Sequence, residues 1–257
     1  MAALHEITVF LDDFLELEKF SSDVSNNGLQ FEGVHEVARA AFAVDACEAV
    51  FRAAAEWNAD FIFVHHGISW GSGFRCLRGG LARRIAALAS GGISLYAAHL
   101  PLDAHEMIGH NALLSSMIGL KDLVPFGDYH GYKIGFRGVL EKPVSPAGLA
   151  CLLDRELPSS GDFRFLGDPE TPVRRVGVIS GGGAWPALFD EMEETATELL
   201  VTGCAGHEEF HPAREAGASV LMLGHYRSET PGVIAVMNCL REKFRLETRF
   251  FDCPTGL

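Results

Sequence analysis

Hydrophobic and polar positions change period repeatedly along this chain. Ile7, Phe10, Leu11, Phe14, Leu15 and Leu17 recur at mostly helical spacing, which predicts a helix over 5–19. Asn26-Asn27-Gly28 then marks a turn. The pattern next predicts a strand at 37–44, a helix at 46–56, a strand in the apolar run Phe61-Ile62-Phe63-Val64 and a helix at 80–90. A strand at 93–97 and a helix at 105–118 follow, the helix turning Met107, Ala112, Leu113, Met117 and Ile118 inward. An unbroken apolar run this short suits a strand covered on both faces, and the alternation suits βαβ units around a largely parallel sheet.

Glycine and proline interrupt the pattern between 121 and 146, where only 132–140 reads as a strand. Ser145 is placed to cap a helix running to about 157. Loops over 158–172 surround a short strand at 163–166. Alternation then resumes, with strands at 174–179, 198–202, 219–223 and 246–251 and helices at 185–194, 207–216 and 229–243. The expected fold is α/β: two α/β halves with largely parallel or mixed sheets, packed together. The halves are 1–124 and 171–257, and 125–170 is a less regular connection.

Three strand-like runs end on metal-ligand chemistry. Phe61–Val64 leads into His65-His66-Gly67, 93–97 into His99 and Asp103, and 219–223 into His225 and Glu229. The carboxyl ends of strands are where open α/β sheets bind ligands. Adjacent side chains in a strand point to opposite faces, so His65 and His66 serve one site only where the chain turns, and Gly67 permits that turn. Pro101 argues against regular helix between His99 and Asp103. Ser228 is an N-cap candidate, which puts Glu229 in a first helical turn. Each residue alone has an ordinary structural explanation, whether a backbone-bonded histidine or a helix-capping carboxylate. Taken together, His65, His66, His225, Asp103 and Glu229 are three imidazoles and two carboxylates without a thiolate. That set suits Zn, Mn, Fe or Ni, and five ligands suit two divalent ions about 3.5–4 Å apart. The expected site lies at strand C-terminal ends between the halves. Gly181-Gly182-Gly183 reads as a tight strand-to-helix turn, and His105 and His110 receive no role.

Composition narrows the partners. With 48% apolar and 21% charged residues over 257 positions, the chain is an ordinary globular one. A net charge of −13 disfavours nucleic acid and anionic membranes. A small phosphorylated substrate remains compatible, because a bound cation inverts the local field. No apolar stretch approaches membrane-helix length, and the acidic start lacks the pattern of a secretory signal, which predicts a cytoplasmic protein. The six cysteines show no C-x-x-C pair and read as isolated buried thiols.

At these residues the chain resembles the GTP cyclohydrolase 1 type 2 homologues. The matching segments are Asn27-Gly28-Leu29-Gln30, His65-His66-Gly67 with Trp70, and His99-Leu100-Pro101-Leu102-Asp103-Ala104-His105 with Asn111. Ser180-Gly181-Gly182-Gly183, Thr202-Gly203, His211 with Ala213-Arg214-Glu215, and Gly224-His225-Tyr226 with Ser228-Glu229 complete the series. The resemblance implies a dinuclear metal centre held by His65, His66, Asp103, His225 and Glu229. It also implies a ring-shaped homohexamer, a trimer of dimers. The implied activity is hydrolytic: activated water attacks C8 of the guanine of GTP, and formate leaves. His99 is the candidate proton shuttle. The alternative is a metal-binding, regulatory or metal-delivery protein without catalysis. After Thr202-Gly203 many members carry an acid, and here Cys204 stands instead.

Overall fold

In the computed structural model, which describes residues 1–74, 76–158 and 162–257, the apolar run Phe61–Val64 lies inside a sheet with every side chain fully buried. At about 1.5–3 kcal/mol for each large apolar side chain removed from water, this strand is among the strongest local reasons for the fold. The chain divides into two compact units, Met1–Leu102 with Gly232–Cys253, and Asp103–Pro231 with Pro254–Leu257.

The first unit begins with β1 (Ala2–Ala3), α1 (Leu4–Phe14), β2 (Gly28–Phe31) and β3 (Glu36–Val37). It continues with β4 (Arg39–Asp45), α2 (Glu48–Glu56), β5 (Phe61–His66), α3 (Gly79–Gly91) and β6 (Ser94–Ala97). Residues on alternate positions separate the two faces of its sheet. Ala41, Ala43, Ile62, Val64, Leu95 and Ala97 share one core cluster with Val50, Phe51 and Ala54 of α2 and Leu88 of α3. The intervening Phe42, Phe63 and Tyr96 rings touch one another, at 5.9 Å between the phenylalanines and 5.8 Å from Phe63 to Tyr96.

Next come α4 (Leu100–Ala104), α5 (His110–Met117), β7 (Lys121–Tyr129), β8 (Tyr132–Val144), α6 (Pro146–Glu156) and β9 (Arg164–Leu166). The second unit goes on through β10 (Val173–Ile179), α7 (Pro186–Glu194), β11 (Leu199–Thr202), α8 (Phe210–Glu215), β12 (Ser219–Met222) and α9 (His225–Ser228). Its sheet has the order β7-β8-β10-β11-β12-β9, with β10, β11 and β12 parallel and the outer pairings antiparallel. Leu149 and Leu153 of α6 and Leu114 of α5 pack with Val176, Val178, Leu199, Val201 and Leu221. The chain then passes through α10 (Thr230–Phe244) to β13 (Glu247–Phe250), which belongs to the first unit. There the order is β13-β4-β5-β6-β2, parallel except for β2. The α/β class with mixed sheets is therefore as expected.

Several elements differ from expectation for identifiable reasons. The first helix stops at Phe14 rather than 19, because Glu16 adopts a left-handed φ of 53°. Pro101 does not prevent helix. It sits in the first turn of α4, where a missing N–H costs nothing. The helix expected from 105 begins instead at His110, and the His105 Nδ1 accepts the amides of Met107 and Ile108. The glycine- and proline-rich 121–146 stretch forms a long hairpin of β7 and β8 rather than one strand. Ser145 caps α6 as expected, accepting the Gly148 amide. Of the loop expected over 158–172, positions 159–161 lie outside the described residues. Cys76 and Cys151 are exposed, and the other four cysteines are half-buried rather than buried. Among the described residues no helix is long and apolar enough to cross a membrane.

Candidate metal centre

In the first unit, β5 carries both His65 and His66 inside the strand rather than beyond it. Their rings nevertheless approach to 4.5 Å between centroids, and His99, just past β6, lies 5.2 and 5.7 Å from them. The long side chains lean along the strand toward its end, so opposite-facing positions converge there. A ring nitrogen of each of the three lies within 4.8 Å of the others. The role expected for Gly67 as a turn-maker is replaced by close approach. A Cβ at Gly67 would lie 2.3 Å from the Gln30 side-chain oxygen. That oxygen accepts the amides of Ile68 and Ser69 and so fixes the chain leaving the histidine pair.

The orientation of each imidazole is set by an acceptor on Nδ1. His65 is fully buried and its Nδ1 is 2.9 Å from the Ala98 carbonyl oxygen. A carbonyl only accepts, so Nδ1 carries the proton and Nε2 presents a lone pair. The His66 Nδ1 meets the Asp45 carboxylate at 2.8 Å, and the His99 Nδ1 meets Asp23 at 3.0 Å. Carboxylate–imidazole pairing of this kind is how metal-ligating histidines are commonly oriented. Burial opposes the charge on Asp23. Hydrogen bonds from His99, Asn27 and the Ser25 amide outweigh it and hold the Asp23 pKa below the ordinary value. Asn27 also accepts the His99 amide at 2.8 Å, and the Trp70 ring stands edge-on to His99 at 5.1 Å.

In the second unit the donors are gathered around the Ser180-Gly181 turn. The Ser180 hydroxyl donates to Asp103 at 2.9 Å, and the Ser180 amide donates to Asn111, whose side chain donates in turn to the Asp103 carbonyl. Gly181 has a left-handed φ of 61°, and its amide donates to the Ser228 hydroxyl. A Cβ there would lie 2.1 Å from Glu229 Oε1 and 3.2 Å from His225 Nε2. The glycine triplet is thus a cradle for two expected ligands as well as a turn. Ser228 does not cap a helix through its side chain. It ends α9, and Glu229 falls at the junction with α10.

His225 Nε2 lies 3.2 Å from Glu229 Oε1, and its Nδ1 lies 3.4 Å from the Cys204 sulfur. These two hydrogen bonds, the one to Cys204 first, push the His225 pKa up to about 10 against the effect of burial. The imidazolium then holds the place beside Glu229 that a divalent cation would take with loss of that proton. Asp103 and Glu229 are buried carboxylates, and buried anions call for a compensating cation or dense hydrogen bonding. The oriented imidazole nitrogens of the first unit are donors that suit a divalent metal, and so, taken by themselves, are the two buried carboxylates of the second unit beside a turn that excludes a Cβ. His65 and His66 end β5, Asp103 lies in the short helix α4, and His225 opens α9 with Glu229 just after it.

What was not foreseen is the orienting role of Gln30, Asn111 and Ser180, which lie in the matching segments, and of Asp45 and Asp23, which lie outside them. Asp45 was within reach of sequence reasoning. In parallel register it pairs opposite His66.

The family described as Duf34/NIF3 (NGG1p interacting factor 3) matches residues 2–255. A protein of Archaeoglobus fulgidus named GTP cyclohydrolase 1 type 2 homolog is 46% identical, with 99% of each chain covered. One of the same name from Pyrococcus abyssi is 43% identical, with 98% of each covered. Among solved structures, TTHA1606 from Thermus thermophilus is 37% identical with a TM-score of 0.86, and the whole of both chains is covered. Protein ybgI, described as of unknown function, is 28% identical with a TM-score of 0.88, again over the whole of both chains.

Proposed function

Because the chain belongs to the Duf34/NIF3 family, we propose that it is a dinuclear metal-dependent hydrolase acting on a purine nucleotide such as GTP, its ligands being His65, His66, Asp103, His225 and Glu229. The observation that carries this reading is the fixed tautomer of the paired histidines, each Nδ1 held by an acceptor so that Nε2 offers a lone pair. Two divalent ions (Zn, Mn, Fe or Ni) would lower the pKa of a water near neutral pH and polarise the purine ring. Asp103, held by Ser180, and Glu229, beside Gly181, supply negative charge from buried positions.

His99 holds and moves the proton. With Nδ1 engaged by Asp23, the exchangeable site is Nε2. The partly exposed Trp70 ring beside His99 offers a face on which a base can stack. The names of the relatives support a guanine nucleotide as the first substrate to try. The reading includes a cytoplasmic, ring-shaped homohexamer.

Purified chain loaded with each metal in turn is expected to release formate from GTP. An Asp103→Ala variant should lose bound metal and at least about 100-fold in rate, since even residues that merely orient ligands are worth 10–100-fold. Metal bound at two ions per chain with no turnover of any purine nucleotide would reduce the protein to a metal-binding or metal-delivery one. Mass photometry checks the hexamer.

A further inference from the structure

We propose that Cys47 and Cys253 form a reversible disulfide that clamps the C-terminal strand of the first unit onto its central sheet. The two thiols are distant in sequence but meet in space. Cys47 stands at the N-cap of α2, immediately beyond β4, and Cys253 follows β13. β4 and β13 run parallel in the register Arg39–Glu247 to Phe42–Phe250, and the Phe251 amide extends the ladder by donating to Phe42. That register carries both cysteines off the same end of the sheet. They pack on one core cluster, and the two side chains are in hydrogen-bonding contact. Burial, and then Cys47 itself, raise the pKa of the Cys253 thiol.

The remaining cysteines set the contrast. Cys76 and Cys151 are exposed, and Cys204 and Cys239 belong to other surroundings. The pair therefore stands out by proximity. The oxidant is a low-molecular-weight disulfide such as oxidised glutathione. One cysteine thiolate attacks a glutathione sulfur, the glutathione S–S bond breaks, and one reduced glutathione leaves. The second cysteine thiolate attacks the mixed disulfide, an S–S bond forms between Cys47 and Cys253, and a second reduced glutathione leaves. Two thiols of the protein are oxidised and one disulfide is reduced, so the exchange balances. In a reducing compartment such a bond is transient and senses redox poise. The closed loop runs from residue 47 to residue 253, and the constraint a disulfide places on the unfolded state grows with loop length.

The protein is first reduced, then equilibrated in glutathione buffers of rising potential, alkylated and mapped by mass spectrometry. The expected product is a peptide pair joined through Cys47 and Cys253, with the two thiols lost together. Oxidised wild type should melt roughly 5–10 °C above the reduced form, and Cys47→Ser and Cys253→Ser variants should show neither the cross-link nor the rise. Glutathione adducts confined to Cys76 and Cys151, with Cys47 and Cys253 still alkylated, would overturn the pairing. A cross-link without a rise in melting temperature would overturn the clamp.

Discussion

The two donor groups are built on opposite principles. In the first unit each of the three clustered imidazoles has its own orienting acceptor: Ala98 for His65, Asp45 for His66, Asp23 for His99. The directions of the ligand atoms are set before any cation arrives. In the second unit the donors Asp103, His225 and Glu229 are held around one turn, and His225 is engaged at both nitrogens. That group must give up a proton and a hydrogen bond to accept a metal. The first group is prepared by geometry, the second by charge. Binding to the first should depend on single acceptors, and binding to the second on the turn that crowds its anions together.

The largest effect is expected from Gly181→Ala. The new Cβ would collide with Glu229 and stand close to His225, and the residue would be forced into a left-handed conformation costing about 1–3 kcal/mol. Metal content measured by elemental analysis should fall by about one ion per chain, with His65 and His66 still able to bind. Unchanged metal content in a folded Gly181→Ala protein would break the claim that this turn organises the second donor group.

The next effect tests the other side. Asp45→Asn removes the negative charge of the acceptor on His66 Nδ1 while leaving its size and an accepting oxygen. Affinity for Zn, read by competition with a chelating dye, should fall 10–100-fold, the usual worth of such an orienting carboxylate. The melting temperature of the metal-free protein should hardly move, because the pair is partly exposed and such pairs contribute about 0–1 kcal/mol. Equal losses of affinity and metal-free stability would make Asp45 a structural residue.

How much of this was legible beforehand follows the same division. The existence of β5 and β6 could be read from period, because both strands are buried on both faces and Phe61–Val64 is an unbroken apolar run. The orienting partners could not be read that way. Asp23 lies in an irregular segment and reaches His99 across 76 positions of sequence, and Gln30 reaches Ile68 across 38. No local pattern records such contacts. The β7–β8 hairpin was missed for another reason: Pro125 and Gly127 lower strand propensity, but β7 is an edge strand, where a missing N–H is tolerated. Cys204 takes up a hydrogen-bonding position on His225 Nδ1.

The smallest effect decides what His99 is. Its nitrogen lies within reach of those of His65 and His66, so it can be read as a third imidazole ligand as well as a proton carrier. Asp23→Asn separates the roles. If His99 carries protons, formate release should fall about 10–100-fold while metal content stays the same, because the five ligands are untouched. Loss of metal in this variant would instead make His99 a ligand. The same substitution predicts a pH effect with a defined sign. The folded Asp23 pKa lies below its ordinary value, so its hydrogen bonds add stability above the unfolded carboxylate range near pH 4. That stability disappears as pH falls through the lower, folded value. Wild type should therefore exceed Asp23→Asn by about 1 kcal/mol in denaturant melts at pH 6, the ordinary net worth of a hydrogen bond. The two should converge as the pH drops through that folded value. A gap that stayed constant down to pH 2 would mean that Asp23 acts through shape rather than charge, and the distinction drawn for His99 would then rest on metal content alone.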